Sequence, residues 1–224
     1  MSGVAVKPNP VFTGAEFVMR ARARLSPLPF EAPPSQGVAG LRGDHIMNPM
    51  STPSPRRLAQ LRSAAVLVPV MVREGEATLL LTQRTEELPA HAGQVAFPGG
   101  KVEEEDETPL HAALREAQEE IGLPPDHAEP LGYLRPYHTT SGFKVIPVVA
   151  AVTPGFDIVP DESEVAAVFE VPLSFLMNPA NHQRHSRIWR GMRRFFFAMP
   201  YENRYIWGIT AGIIRELYDE VYRA

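Results

Sequence analysis

The chain has 224 residues, of which 44% are hydrophobic and 21% are charged, a composition typical of a folded globular protein. It contains no cysteine, so disulfide scaffolds, cysteine-ligated zinc and thiol nucleophiles are excluded. The net charge of −4 is unevenly distributed, because residues 1–62 hold 8 of the 22 basic and 3 of the 26 acidic side chains. The remainder is therefore acidic, which argues against a broad nucleic-acid-binding surface.

Residues 1–55 are rich in proline and are expected to form an N-terminal extension and linker, with one short helix near Gly14–Leu25. A folded domain is predicted to follow over residues 56–224. The chain starts without a basic segment followed by an apolar stretch, so no secretory leader is predicted. No apolar run reaches the roughly 18 residues that a membrane helix requires. We therefore expect a cytoplasmic protein without a membrane partner.

Short apolar runs bounded by turn residues predict a series of strands. The expected strands are Ala64–Val72, Thr78–Gln83, Gln94–Phe97, Gly132–Tyr137, Lys144–Val152 and Val165–Val171. The first two are separated by Arg73-Glu74-Gly75-Glu76, a turn signal that predicts a hairpin. Further along, Phe195-Phe196-Phe197 is expected to belong to a core strand rather than to a base-stacking platform.

Two substantial helices are also predicted. The first is Pro109–Ile121, with Thr108 as its N-cap and Gly122 just past its end. The second spans approximately Trp207–Tyr222, where apolar residues recur at helical spacing. A short helix is expected near Leu173–Met177. Strands flanked by helices favour a mixed sheet that is covered on both faces, in the α/β or α+β class.

The first long helix has an unusual acidic face. At about 100° per residue, Glu116, Glu119 and Glu120 fall within an arc of about 100°. Such like-charged neighbours destabilise a helix by a few tenths of a kcal/mol per pair. A hard cation such as Mg²⁺ or Mn²⁺ would relieve the repulsion. A solvated acidic face, with Arg115 and Glu119 as a surface pair, is an equally good explanation of the helix taken alone.

The segment before this helix favours the metal site. A strand ends at Phe97-Pro98-Gly99-Gly100, and a long acidic loop then leads into the helix. Paired glycines permit unusual backbone dihedral angles and let a ligand approach the backbone closely. The combination of strand, glycine pair, loop and acidic helix is much more specific than any of its parts.

Gly100 and the run Arg115-Glu116-Ala117-Gln118-Glu119-Glu120-Ile121-Gly122-Leu123 resemble the signature of the Nudix hydrolases. The loop from Gly100 to Arg115 is one residue longer than in the general signature. The acidic loop position of the signature is therefore either Asp106 or Glu107.

The longer loop is similar to that of the coenzyme A pyrophosphatase subgroup of this family. So is the upstream run that begins at Leu80-Leu81-Thr82-Gln83-Arg84-Thr85 and continues from Gly93 to Gly100. That subgroup often has a second arginine at the place where this sequence has Pro89. The resemblance covers residues 57–220 and leaves the N-terminal extension unexplained.

The resemblance implies a Nudix-like α/β/α sandwich with a mixed β-sheet between helices. It implies Mg²⁺- or Mn²⁺-dependent hydrolysis of coenzyme A or its derivatives to 3′,5′-ADP and 4′-phosphopantetheine. Glu116, Glu119 and Glu120 would bind the metal. The other expected roles are orientation of a glutamate by Arg115, close backbone approach at Gly99 and Gly100, a general base at Glu119 or Glu164, and substrate phosphate binding by Arg84 and Lys144.

Two alternative functions remain open from the sequence. One is hydrolysis of another nucleoside diphosphate derivative, such as ADP-ribose, NADH or a dinucleoside polyphosphate. The other is a non-catalytic nucleotide-sensing module, although a binding module has no need of carboxylates that repel one another. His91 and His138 are expected to be hydrogen-bonded loop histidines rather than catalysts. The sequence does not predict the oligomeric state.

Overall fold

The strands and helices follow the apolar pattern of the sequence closely from residue 62 onward. The computed structural model describes residues 12–30, 40–88, 91–189 and 191–223. The helices are α1 (Gly14–Arg24), α2 (Pro55–Leu58), α3 (Pro109–Ile121), α4 (Leu173–Leu176) and α5 (Ile209–Val221). The strands are β1 (Arg42–Gly43), β2 (Arg62–Met71), β3 (Thr78–Arg84), β4 (Val95–Ala96), β5 (Gly99–Lys101), β6 (Ala128–Tyr133), β7 (Tyr137–His138), β8 (Phe143–Val152), β9 (Val165–Pro172), β10 (Gln183–Trp189), β11 (Met192–Tyr201) and β12 (Arg204–Trp207). Among the helices of these ranges, none is long and apolar enough to cross a membrane.

A mixed sheet with β2 and β3 near its middle forms the centre of the fold. β2 runs parallel to β8 in unbroken register, from Arg62 opposite Phe143 to Met71 opposite Val152. β2 and β3 form the predicted antiparallel hairpin. The strand order is β1-β7-β8-β2-β3-β4, and β5, β6 and β9 pair with β2, β8 and β3 respectively.

Different helices cover the two faces of this sheet, because side chains alternate between the faces along each strand. Ala65 and Leu67 of β2 belong to the apolar cluster that contains the buried side of α3. Val68 and Val70 belong to the cluster that contains the buried side of α5. The predicted α/β/α sandwich with a mixed sheet is confirmed.

The ends of α3 are fixed by local hydrogen bonds, so the predicted bounds of this helix are confirmed. The Thr108 side chain accepts a hydrogen bond from the His111 N–H at 3.1 Å. At the other end Gly122 has a φ of 70°, in the left-handed region that glycine favours. Its N–H donates to the carbonyl oxygen of Gln118 at 3.0 Å.

The strand predicted at Gly132–Tyr137 is divided into two. β6 starts and ends earlier, at Ala128–Tyr133, where it pairs with β8. Tyr137–His138 forms the separate strand β7, which pairs with β1 and β8. Pro136, which lies between them, has no backbone N–H to donate to a strand ladder. Periodicity alone does not reveal this break.

The described part of the N-terminal segment includes the predicted short helix, α1, which packs into the core instead of extending away from it. Phe17 and Ala21 of α1 are completely buried in the same apolar cluster as α5. β1 extends the main sheet through its pairing with β7. Among the described residues, the predicted boundary at residue 55 therefore does not divide the chain into two separately packed parts, because α1 supplies part of the core.

We predict that Phe17→Ala destabilises the protein by about 3–5 kcal/mol, because it removes a fully buried aromatic side chain and leaves a cavity. The measurement is the free energy of unfolding in urea. Met19→Ala on the same helix is the matched control, since Met19 is 59% exposed and its loss should change stability by less than about 0.5 kcal/mol. Equal effects of the two changes would show that α1 does not pack as described.

Candidate active site

The acidic face of α3 presents three carboxylates with very different exposure to solvent. The side chain of Glu120 is 5% exposed, that of Glu116 is 18% exposed and that of Glu119 is 61% exposed. The solvent exposure of the three carboxylates therefore increases from the buried Glu120 through Glu116 to the exposed Glu119. Ionisation costs more free energy at the two less exposed carboxylates, Glu116 and Glu120, because a charge taken out of water needs compensating partners.

Arg115 links this face to the preceding loop. Its guanidinium donates to Asp106 through Nε at 3.2 Å and through Nη2 at 3.0 Å. Nη1 donates to Glu116 Oε1 at 3.2 Å and to Glu119 Oε2 at 3.1 Å. The Asp106 side chain is 1% exposed, so of the two loop acids left open by the sequence it is Asp106 that the structure buries against Arg115. Charge-assisted bonds of this kind orient the carboxylates.

The glycine pair fits closely against the same carboxylates. Gly99 has a φ of 148°, and a Cβ atom at this position would lie 2.4 Å from the carbonyl oxygen of Ala65. Its N–H donates to Glu120 Oε2 at 3.2 Å. A Cβ at Gly100 would lie 2.3 Å from Glu116 Oε1. Gly99 has no room for a side chain, and a side chain at Gly100 would displace the Glu116 carboxylate, so the backbone comes close to both carboxylates.

The pairing of β3 with β9 brings Arg84 and Glu164 to this site. The Thr85 N–H donates to the Glu164 carbonyl oxygen at 3.0 Å, where the ends of the two strands meet. Arg84 Nη1 lies 3.7 Å from Glu120 Oε1, and Nη2 lies 3.9 Å from Glu164 Oε2. The Nε of Arg84 is buried and has no hydrogen-bond partner within the described residues. Arg84 therefore retains an unused donor next to the carboxylates.

Burial dominates the ionisation of the two enclosed glutamates. It raises the pKa of Glu120 to about 7, although the Gly99 N–H and the charge of Arg84 act in the opposite direction. Burial also raises the pKa of Glu116, against the influence of Arg115. Both carboxylates therefore lack the solvation that would stabilise their charged forms. A bound cation would stabilise those forms instead.

The donor set fits a hard divalent cation, because its members are carboxylate oxygens next to a close backbone approach. No group of three or more acidic or histidine side chains converges on one point in the part of the chain that the structure describes. The reason is geometric, since Arg115 holds Glu116 and Glu119 while Gly99 holds Glu120. Metal binding by the three glutamates stays a prediction.

Lys144 is not brought into contact with these carboxylates. It lies on β8 opposite His138 of β7, and its charge adds to burial in lowering the pKa of His138. Among the described residues no ion pair joins Lys144 to an acidic side chain. His138 and His91 are hydrogen-bonded to the Arg42 carbonyl and to Gln94 respectively. Pro89 lies outside the described residues.

Two backbone hydrogen bonds at the end of α3 could not be predicted from the sequence. The Val159 N–H donates to the Ile121 carbonyl oxygen and the Asp161 N–H to the Glu120 carbonyl oxygen, both at 3.0 Å. These bonds occupy carbonyl groups that the helix leaves free at its C-terminus. They also tie α3 to the loop that leads to Glu164. Because the partners are about 40 residues apart in the chain, local pattern could not predict them.

Residues 61–191 match the family of the NUDIX domain, which is more than half of the chain, so the chain belongs to the Nudix family. The uncharacterized Nudix hydrolase NudL of Citrobacter koseri is 47% identical over 156 residues, which cover 70% of this chain and 81% of that protein. NudL of Klebsiella pneumoniae (strain 342) is 46% identical over 166 residues, covering 74% and 86%. Among solved structures, the Nudix hydrolase RenU of M. smegmatis is 26% identical with a TM-score of 0.40, covering 50% of this chain and 70% of that chain.

We predict that Glu120→Gln stabilises the metal-free protein at pH 8. The folded protein holds a proton on Glu120 up to a pKa of about 7, whereas the unfolded chain releases it near 4.5. Wild-type stability therefore falls as the pH rises between these values. The neutral amide removes this loss, so the expected gain is roughly 1–3 kcal/mol at pH 8 and small at pH 5.

The measurement is urea unfolding in the presence of EDTA at both pH values. Glu104→Gln, in the exposed acidic loop, is the matched control and should change stability at neither pH. A loss of stability in Glu120→Gln at pH 8 would contradict the assignment of Glu120 as a poorly solvated carboxylate.

Proposed function

We propose that this Nudix hydrolase is a pyrophosphohydrolase of coenzyme A or its derivatives, yielding 3′,5′-ADP and 4′-phosphopantetheine. The observation that carries the reaction class is the pair of enclosed carboxylates, Glu116 and Glu120, on α3 beside the backbone of Gly99 and Gly100. Family membership supports hydrolase chemistry. The coenzyme A assignment rests on the sequence run from Leu80 to Gly100.

Divalent metal ions are the usual cofactors of Nudix hydrolases, and Mg²⁺ or Mn²⁺ is proposed here. The side chains that would hold the metal are those of Glu116, Glu119 and Glu120. When bound, such an ion neutralises phosphate oxygens and lowers the pKa of a coordinated water. Arg115 would act as a positioning residue, since its guanidinium is hydrogen-bonded to Asp106, Glu116 and Glu119.

Arg84 is the proposed ligand of a substrate phosphate. Its guanidinium lies between Glu120 and Glu164, and the side chain is partly exposed. Phosphate oxygens are strong acceptors for a guanidinium fork. Lys144 stays a second candidate for this role, although its contacts in the structure are with His138.

Glu164 is the better of the two proposed general bases. Glu119 already accepts a hydrogen bond from Arg115 and is also a proposed metal ligand. Glu164 is half-exposed, and its nearest charged partner is Arg84 at 3.9 Å. A carboxylate with free lone pairs at the edge of the site can accept a proton from water.

The substrate assignment is tested by a screen of nucleoside diphosphate derivatives with Mg²⁺ and with Mn²⁺, in which the products are identified by mass. EDTA should abolish hydrolysis and either metal should restore it. Coenzyme A is expected to have a higher kcat/KM than ADP-ribose, NADH and dinucleoside polyphosphates. A clear preference for one of these would replace the coenzyme A assignment, and no turnover of any compound would favour a nucleotide-sensing module.

The general base is tested separately. We predict that Glu164→Gln lowers kcat by about 10²–10⁴-fold with little change in KM, because it removes proton transfer without removing a substrate contact. The matched control is Glu162→Gln, an exposed acid in the same loop, which should behave as wild type. A larger loss of kcat in Glu119→Gln, together with an unchanged pH–rate profile in Glu164→Gln, would assign the base to Glu119 instead.

A further inference from the structure

The C-terminal sheet, formed by β10, β11 and β12, is the most basic part of an otherwise acidic domain. No aspartate or glutamate occurs from Val171 to Tyr201, while arginine occurs at residues 184, 187, 190, 193 and 194. Arg187 and Arg194 lie directly opposite each other on β10 and β11. Like charges in this arrangement destabilise a strand pair. Neither arginine forms an ion pair with an acidic side chain of the described residues, so no such pair offsets their repulsion.

The same face of this sheet is covered with aromatic rings. The Phe196 and Trp207 ring centroids are 5.2 Å apart, and those of Tyr205 and Trp207 are 6.3 Å apart. His185 Nδ1 is hydrogen-bonded to the Tyr205 hydroxyl at 2.6 Å. Phe197, on the opposite face, packs toward the core. The phenylalanine triplet is therefore split between the core and an outer aromatic face, and only part of the core-strand prediction holds.

Cations and rings meet on this outer face. The Arg187 guanidinium lies 5.8 Å from the centre of the Trp207 ring, and Tyr205 is 42% exposed. The exposed ring of Tyr205 and the partly buried ring of Trp207, beside guanidinium groups without an ion-pair partner in the described residues, match a planar base attached to a phosphate.

A cleft connects this face with the sequence run that favours coenzyme A. The cleft has a volume of about 340 Å³, and its lining includes Gln83, Gln94, Tyr205 and Trp207 together with the acidic side chain of Glu86. Gln83 immediately precedes Arg84, whose guanidinium faces Glu120 on the other side of the sheet. The cleft and the carboxylates therefore lie next to two consecutive residues of β3, on opposite faces of the sheet.

We infer that the outer face of the C-terminal sheet binds the phosphorylated purine nucleoside end of the substrate, with the base on Tyr205 and Trp207 and its additional phosphate on Arg187 and Arg194. This inference rests on the proposed function and adds the surface that recognises the nucleotide. It explains why unpaired arginines are tolerated opposite each other on adjacent strands.

The experiment measures binding of 3′,5′-ADP by calorimetry with EDTA present, because this nucleotide has no diphosphate bond to hydrolyse. Wild type should bind it at least tenfold more tightly than 5′-AMP. Arg187→Ala and Tyr205→Leu should each weaken binding by about tenfold. Arg184→Ala is the matched control, an exposed arginine on the same strand whose guanidinium lies over Phe195 on the other face, and should retain wild-type affinity.

Stability gives a second measurement. Arg187→Ala removes a like-charged pair, so the protein should unfold at an equal or higher urea concentration while its nucleotide binding falls. A parallel loss of stability and binding, or equal effects of Arg187→Ala and Arg184→Ala, would overturn the inference. Binding of a ten-nucleotide adenosine RNA more than tenfold tighter than 3′,5′-ADP would overturn it too, in favour of a nucleic-acid surface.

Failure of this inference is distinguishable from failure of the proposed function. If coenzyme A is hydrolysed and Arg187→Ala leaves its KM unchanged, the function stands and the binding surface is wrong. If 3′,5′-ADP binding depends on Arg187 but coenzyme A is not hydrolysed, the surface stands and the proposed reaction is wrong.

Discussion

Electrostatic repulsion on α3 is the constraint around which the site is organised. Glu116, Glu119 and Glu120 share one side of a helix, and each like-charged pair destabilises it by a few tenths of a kcal/mol. Arg115 offsets this by binding Glu116, Glu119 and the buried Asp106 at once. The acidic loop is thereby fixed against the helix, and the glycine pair is held close to the carboxylates. The remaining charge, on Glu120, is opposed by burial, and among the described residues its partners are the Gly99 N–H and the more distant Arg84.

The parts of the site that depend on local sequence could be predicted. The bounds of α3 follow from Thr108 and Gly122, and the shared face of the glutamates follows from helical spacing. The choice between Asp106 and Glu107 could not be made in this way, because it depends on which side chain the folded loop buries against Arg115. The position of Glu164 beside Arg84 likewise depends on the pairing of β3 with β9, two strands about 80 residues apart.

Packing between distant segments explains the errors of the sequence-based description. The helix near Gly14–Leu25 could be predicted from the sequence, but its burial could not, because Phe17 and Ala21 belong to a core built from later strands and α5. The burial of Phe195-Phe196-Phe197 on β11 could not be predicted from local sequence either. Alternation along a strand places Phe196 and Phe197 on opposite faces, yet which face is covered depends on where α5 lies.

The position of β3 links these observations. Arg84, the last residue of β3, faces the carboxylates on the α3 side of the sheet. Gln83, the residue before it, faces the cleft on the α5 side. Gln83 accepts a hydrogen bond from Arg204 of β12, and Arg204 in turn lies over the ring of Phe169 on β9. The strand that holds the candidate phosphate ligand is therefore tied directly to the C-terminal sheet. A nucleotide bound to that sheet would be positioned relative to β3, the strand that also fixes Arg84. Nucleotide recognition and hydrolysis would then depend on one rigid element rather than on two mobile ones.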